Sequence, residues 1–184
     1  MADVMIDLET LGARPGSTIL SLAAVEFDAN GAHRSYYGYA LRASCRKAGL
    51  EEDADTIAWW SRQSDEARKT LDIADSSFAM TIGDLLAGLA YWLKGLDDVF
   101  VWGTDLPILS EAYHRCGMNV PWKPYSGRCY RTLKNLRPDV ALTAPGTKHN
   151  ALDDATSQAV HAGRILVALG VWRAAYTQPS GDAG

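Results

Sequence analysis

The first forty residues restrict the fold more than any other stretch. Three β-rich runs, at 2–8 (ADVMIDL), 18–27 (TILSLAAVEF) and 33–41, follow one another with only turn signals between them. Gly12 to Ser17, with Pro15 and Gly16, breaks the first pair, and Asn30-Gly31 is a hairpin signal between the second and third. Tyr36, Tyr37 and Tyr39 suit a pleated surface. Strands joined this closely pair antiparallel, because a parallel pair needs a crossover of a dozen or more residues. The chain therefore opens with a three-stranded antiparallel meander, and a purely parallel doubly wound sheet is excluded.

Beyond Ala43 the period changes. Ser64-Asp65-Glu66 has the form of a helix start, and Thr81 caps a helix that buries Leu85, Leu86, Leu89, Trp92 and Leu93 before Gly95 stops it. Val99-Phe100-Val101-Trp102 is a short buried strand, Pro107 and Gly117 bracket a helix over 106–116, and 126–137 reads as a helical piece stopped by Pro138. A last helix runs over 150–169 to Gly170. Strands and helices alternating after a meander give an α/β domain with a mixed central sheet flanked by helices. One domain is expected over 1–176, with a frayed tail at 177–184.

Composition fits that picture, with 184 residues, 47% hydrophobic and 22% charged, so disordered and low-complexity classes are out. The opening MADVMIDLET is acidic where a signal peptide is basic, and Asp84 and Lys94 interrupt the most apolar stretch, so no membrane span is expected. Cys45, Cys116 and Cys129 form no CxxC pair, which points to a reducing cytoplasm. The net charge of −4 argues against a protein that grips nucleic acid by overall phosphate neutralisation. Metal ions or one local basic patch would have to do that work.

The first strand ends in Asp7-Leu8-Glu9. Residues i and i+2 of a strand share a face, so the two carboxylates project together, about 6–7 Å apart at their backbones. Like charges about 4 Å apart cost about 4 kcal/mol at an effective dielectric near 20, and a divalent cation relieves that cost. An oxygen-rich donor set favours Mg²⁺ or Mn²⁺ over zinc. An exposed acidic strand end is the plainer alternative. Asp105 follows the 99–102 strand in VWGTD, either as a further ligand or as a helix N-cap. His149 and Asp154 open the last helix five residues apart, while Asp153 lies on another helical face. Four carboxylates and one histidine fit two-metal phosphodiester hydrolysis, in which the imidazole takes a proton from attacking water.

These segments resemble the DEDDh branch of the DnaQ-like 3′–5′ exonucleases, which have the RNase H-like fold, and most of all the subgroup of phage exonuclease A and mycobacterial RNase AS. MIDLETLG at 5–12 is similar to the first exonuclease motif, SLAAVEFD at 21–28 to the strand after it, VWGTDLPILSEAY at 101–113 to the second motif and KHNALDDA at 148–155 to the third. TIAWWSRQSDEAR at 56–68 resembles the subgroup's double-tryptophan segment. The resemblance covers about residues 3–167, and its loop before Asp105 is shorter than the family's. It implies that Asp7, Glu9, Asp105 and Asp154 hold two divalent ions, Mg²⁺ or Mn²⁺, with His149 as general base. It further implies the 3′ end of single-stranded nucleic acid as substrate, with RNA favoured and DNA left open by the phage relatives, nucleoside 5′-monophosphates as products, and a homodimer. Thr10 and Leu11, directly after the first motif, would touch the terminal nucleotide.

Two further features have double readings. Lys123, Arg128, Arg131, Lys134, Arg137 and Lys148 stand against Asp139 alone between 123 and 148, either as a phosphate-contact face, led by Arg128 and Arg131, or as a solvated surface. Trp59 and Trp60 can stack on bases or pack in the core; adjacent helical residues point about 100° apart, so at most one faces a substrate. A phosphodiesterase of short oligonucleotides and a catalytically silent nucleic-acid-binding relative are the alternative functions.

Overall fold

A computed structural model describes residues 2–96, 98–143, 146 and 149–172. The expected tail at 177–184 and Lys148 lie outside the described residues. The meander forms as β1 (Ala2–Thr10), β2 (Ile19–Asp28) and β3 (Gly31–Tyr39). Helices α1 (Arg42–Lys47), α2 (Ala54–Trp60), α3 (Asp65–Ala74) and α4 (Ile82–Lys94) follow, then β4 (Val99–Gly103), α5 (Leu106–Arg115), β5 (Gly127–Cys129), α6 (Tyr130–Leu136) and α7 (Ala151–Ala168). The sheet order is β3-β2-β1-β4-β5, with β1, β2 and β3 antiparallel and β4 and β5 joining parallel to β1. This mixed sheet flanked by helices is the RNase H-like fold.

The central strand is buried on both faces, and the alternation along it sorts the core. Val4, Ile6 and Leu8 pack with Leu85, Leu86 and Leu89 of α4 and Leu109, Ala112 and Tyr113 of α5. Met5 points the other way, into a cluster with Val25, Phe27 and Ala151, Ala155, Ala159 and Ala162 of α7. Those alanines keep the α7 face thin, so the helix lies close to β1 and β2. Asp7 and Glu9 share the phase of Met5 and therefore face α7. Their cross-strand partners on β2 are small, Ala23 and Ser21, which leaves room for carboxylates in an otherwise packed layer.

Residues 126–137 depart from expectation. Gly127–Cys129 form β5, paired parallel to β4 at Val101–Gly127, Trp102–Arg128 and Gly103–Cys129, and the helix begins only at Tyr130. Gly-Arg-Cys carries no apolar alternation, so the strand is made by backbone pairing to an open sheet edge. Between 55 and 71, α2 and α3 are separate helices, capped by the side chains of Asp53 and Ser64. The three cysteines are free thiols. Among the described residues no helix is long and apolar enough to cross a membrane.

Candidate active site

Asp7 and Glu9 end β1 at the point where it leaves the sheet, 8% and 7% exposed. Asp105 reaches them from the end of β4. Gly103 makes that approach possible, because a Cβ there would stand 2.8 Å from the Ile6 carbonyl oxygen of β1. Asp105 occupies the N-cap position of α5, yet its carboxylate caps no backbone N–H; Thr104 Oγ1 donates to its Oδ1 at 3.3 Å. Asp105 lies near enough for its charge to be felt by both Asp7 and Glu9.

The fourth carboxylate and the histidine come from the start of α7. Asn150 caps that helix, accepting from the N–H groups of Leu152 and Asp153. His149 just before it has φ +63, a left-handed conformation that disfavours a side chain. Its backbone N–H donates to Asp154 Oδ2 at 3.2 Å, so one carboxylate serves both the cluster and the turn. Glu9, His149 and Asp154 each offer a ligand atom, all within 4.8 Å of one another. Asp153 instead lies against the loop, where a Cβ on Gly146 would come 2.7 Å from its carboxylate.

The electrostatics of this cluster call for a cation. Burial, then the charges of Asp105 and Asp154, pushes the Asp7 carboxyl up to about 8 against a restraining hydrogen bond from Gln158. Burial and the charges of Asp7, Asp154 and Asp105 push Glu9 up to about 9. Burial also raises Asp105, though Thr104 and Arg131 pull it back. Among the described residues no lysine or arginine pairs with Asp7 or Glu9. The residues therefore fit a divalent metal site by donor type, convergence and uncompensated charge.

This arrangement predicts an inverted pH dependence in chelator. The unfolded chain ionises Asp7 and Glu9 near pH 4, while the folded metal-free protein holds their protons up to about 8 and about 9. The folded state binds more protons across that window, so its stability falls as pH rises through it. Paired carboxyls held low, such as Glu52 beside Arg42 and Asp139 beside Arg137, have contributed fully by about pH 5. The melting temperature in EDTA is expected to drop between pH 5 and 9, and Mn²⁺ to flatten that slope. A flat or rising curve in EDTA would remove the raised pair.

Beside the carboxylates lies an open cleft of about 410 Å³, lined among others by Glu9, Thr10, Trp59, Asp105 and Arg131. Trp60 is only 1% exposed and donates from Nε1 to the Thr10 carbonyl, whereas Trp59 is 37% exposed and meets the His149 ring edge-to-face at 4.8 Å. One tryptophan is core and one faces the cleft. The structure does not bring two of the expected substrate residues there. Leu11 is fully buried, just past the end of β1, in a cluster with Leu20 and Trp60. Arg128 points away, its guanidinium 4.2 Å over the Phe100 ring beside Asp3 and Trp102. One polar neighbour escaped the sequence reading: Gln158 of α7, whose Nε2 donates to Asp7 Oδ1 at 2.7 Å. Its position four residues after Asp154 was the available signal.

Solved structures with this fold include cell-death related nuclease 4, at TM-score 0.52 and 12% identity over 92% of this chain and 64% of that one. A full-length 3′-exonuclease matches at TM-score 0.61 and 14% identity, covering 92% and 61%. Exonuclease X in complex with 5′-overhanging duplex DNA matches at TM-score 0.57 and 16% identity, covering 94% and 95%. The chain thus spans under two thirds of the length of the first two. No curated protein matches it. The family model described as the 3′–5′ exoribonuclease Rv2179c-like domain matches residues 2–166, and the chain belongs to that family.

Proposed function

We propose that this chain is a metal-dependent 3′–5′ exonuclease that shortens single-stranded nucleic acid, RNA in preference to DNA, and releases nucleoside 5′-monophosphates. The observation that carries the reading is the convergence of Asp7, Glu9, Asp105 and Asp154 with His149 beside an open cleft. The family's description as exoribonuclease supports the RNA preference. A homodimer and a cytoplasmic setting belong to the same reading.

The four carboxylates would hold two divalent ions, Mg²⁺ or Mn²⁺. Bound there, the ions supply positive charge for the phosphodiester oxygens and lower the pKa of water. The chain's own groups do the rest. His149, held beside the cluster by its backbone N–H bond to Asp154 and by its T-shaped contact with the Trp59 ring, accepts a proton on an imidazole nitrogen from the attacking water. Arg131, on the cleft wall near Asp105, is placed to contact a substrate phosphate. Thr10 lines the position of the terminal nucleotide.

The test is degradation of 5′-labelled single-stranded RNA and DNA of one sequence in Mn²⁺, Mg²⁺ or EDTA. A metal-dependent ladder receding from the 3′ end, faster on RNA, is the expected result. Cleavage confined to di- and trinucleotides would favour the short-oligonucleotide phosphodiesterase, and intact substrate throughout would favour a silent binding protein.

A further inference from the structure

We infer that Gln158 is a positioning residue for the metal site, fixing the rotation of the Asp7 carboxylate so that one oxygen is taken and the other is presented to the ion. The inference rests on the metal-site reading above. Gln158 lies one helical turn beyond Asp154, on the same face of α7, so the helix that supplies one carboxylate also reaches back to steer another. Its Nε2 donates to Asp7 Oδ1 at 2.7 Å, and among the described residues it is the one hydrogen-bond donor that this carboxylate has. Asp7 otherwise faces Ala23 across the sheet and the alanines of α7, none of which can hold a carboxylate in one orientation.

The other end of the same amide marks what the residue is for. Gln158 Oε1 is buried and has no hydrogen-bond partner among the described residues. A glutamine retained for stability would have both ends satisfied, because a buried polar atom left unmade weakens the fold. Here the donor end is spent on Asp7 and the acceptor end gains nothing from the described residues. Hydrogen bonds that orient metal ligands change ion affinity by about 10–100-fold when removed. Loss of the Gln158 amide should therefore register in ion binding before it registers in stability.

The experiment measures Mn²⁺ uptake by the full chain from the electron paramagnetic resonance signal of free Mn²⁺, alongside melting in EDTA, for wild type and Gln158→Met. Methionine keeps length and volume and removes both amide ends. The expected result is an Mn²⁺ dissociation constant weakened by about tenfold or more, with the melting temperature in EDTA held or raised. An unchanged dissociation constant overturns the proposal, and so does a lowered metal-free melting temperature with unchanged affinity. Gln158→Ala, which leaves room for solvent, is the second variant; if both variants fail to fold in EDTA, Gln158 is structural and the proposal falls. A wild-type chain that takes up no Mn²⁺ overturns the metal-site reading along with it. A wild type that binds Mn²⁺ and degrades RNA, with Gln158→Met binding equally well, overturns only the role of Gln158.

Discussion

Asp154→Ala is expected to lower turnover by about three orders of magnitude or more and to abolish most of the stabilisation that Mn²⁺ gives the wild type. At a hundred times its dissociation constant, an ion bound only by the folded state stabilises it by about 2.7 kcal/mol. For a chain of this size that is a rise of roughly 5–11 °C in melting temperature. Asp154 is one of the three groups whose ligand atoms lie within 4.8 Å of one another. Its charge is also among those that raise Asp7 and Glu9, and its Oδ2 accepts the His149 N–H. Removing it would take away a proposed ligand and loosen the turn that carries His149. Thermal melts in EDTA and in Mn²⁺, with the labelled-RNA assay beside them, check both effects. An undiminished Mn²⁺ increment in the variant would place the ion elsewhere.

His149→Ala tests the proposed base apart from the proposed ligands. The expected outcome is a fall in kcat of about 10²–10⁴ with the Mn²⁺ melting increment largely kept. The carboxylates do not depend on the imidazole for their positions: Asp7 is held by Gln158, Asp105 by Thr104, and Asp154 by the first turn of α7. Because His149 lies within ligand distance of Glu9 and Asp154, the variant also distinguishes two roles. A lost increment would make the imidazole an ion ligand, and an unchanged rate would end its assignment as general base.

What the sequence showed depended on which force set each feature. The meander was legible because Asn30-Gly31 and the Gly12–Ser17 turn leave the strands no other pairing. The carboxylates were legible because strand parity and titratable chemistry are both local, and Asp7 and Glu9 do share a face towards α7. β5 was not, since Gly127–Cys129 is a strand only because β4 offers an open edge. Arg128 and Leu11 were chosen by charge and by nearness in sequence, but direction decides contact. Strand phase sends Arg128 over Phe100, and Leu11 is taken into the core by Leu20 and Trp60. Gln158 carries no charge and belongs to no motif; its spacing from Asp154 puts it on the right helical face, but the docking of α7 on β1 is what shows its bond to Asp7.

Glu9 and Asp154 meet across almost the whole length of the chain, one on the central strand and the other on the last helix described. Contacts that distant close only after the intervening elements have been made. A nascent chain emerging from the ribosome therefore displays its first two carboxylates while the fourth and the histidine are still unmade. The candidate site is therefore closed by one event, the docking of α7 on the sheet, and a chain without that helix would hold Asp7 and Glu9 with neither Asp154 nor His149 beside them.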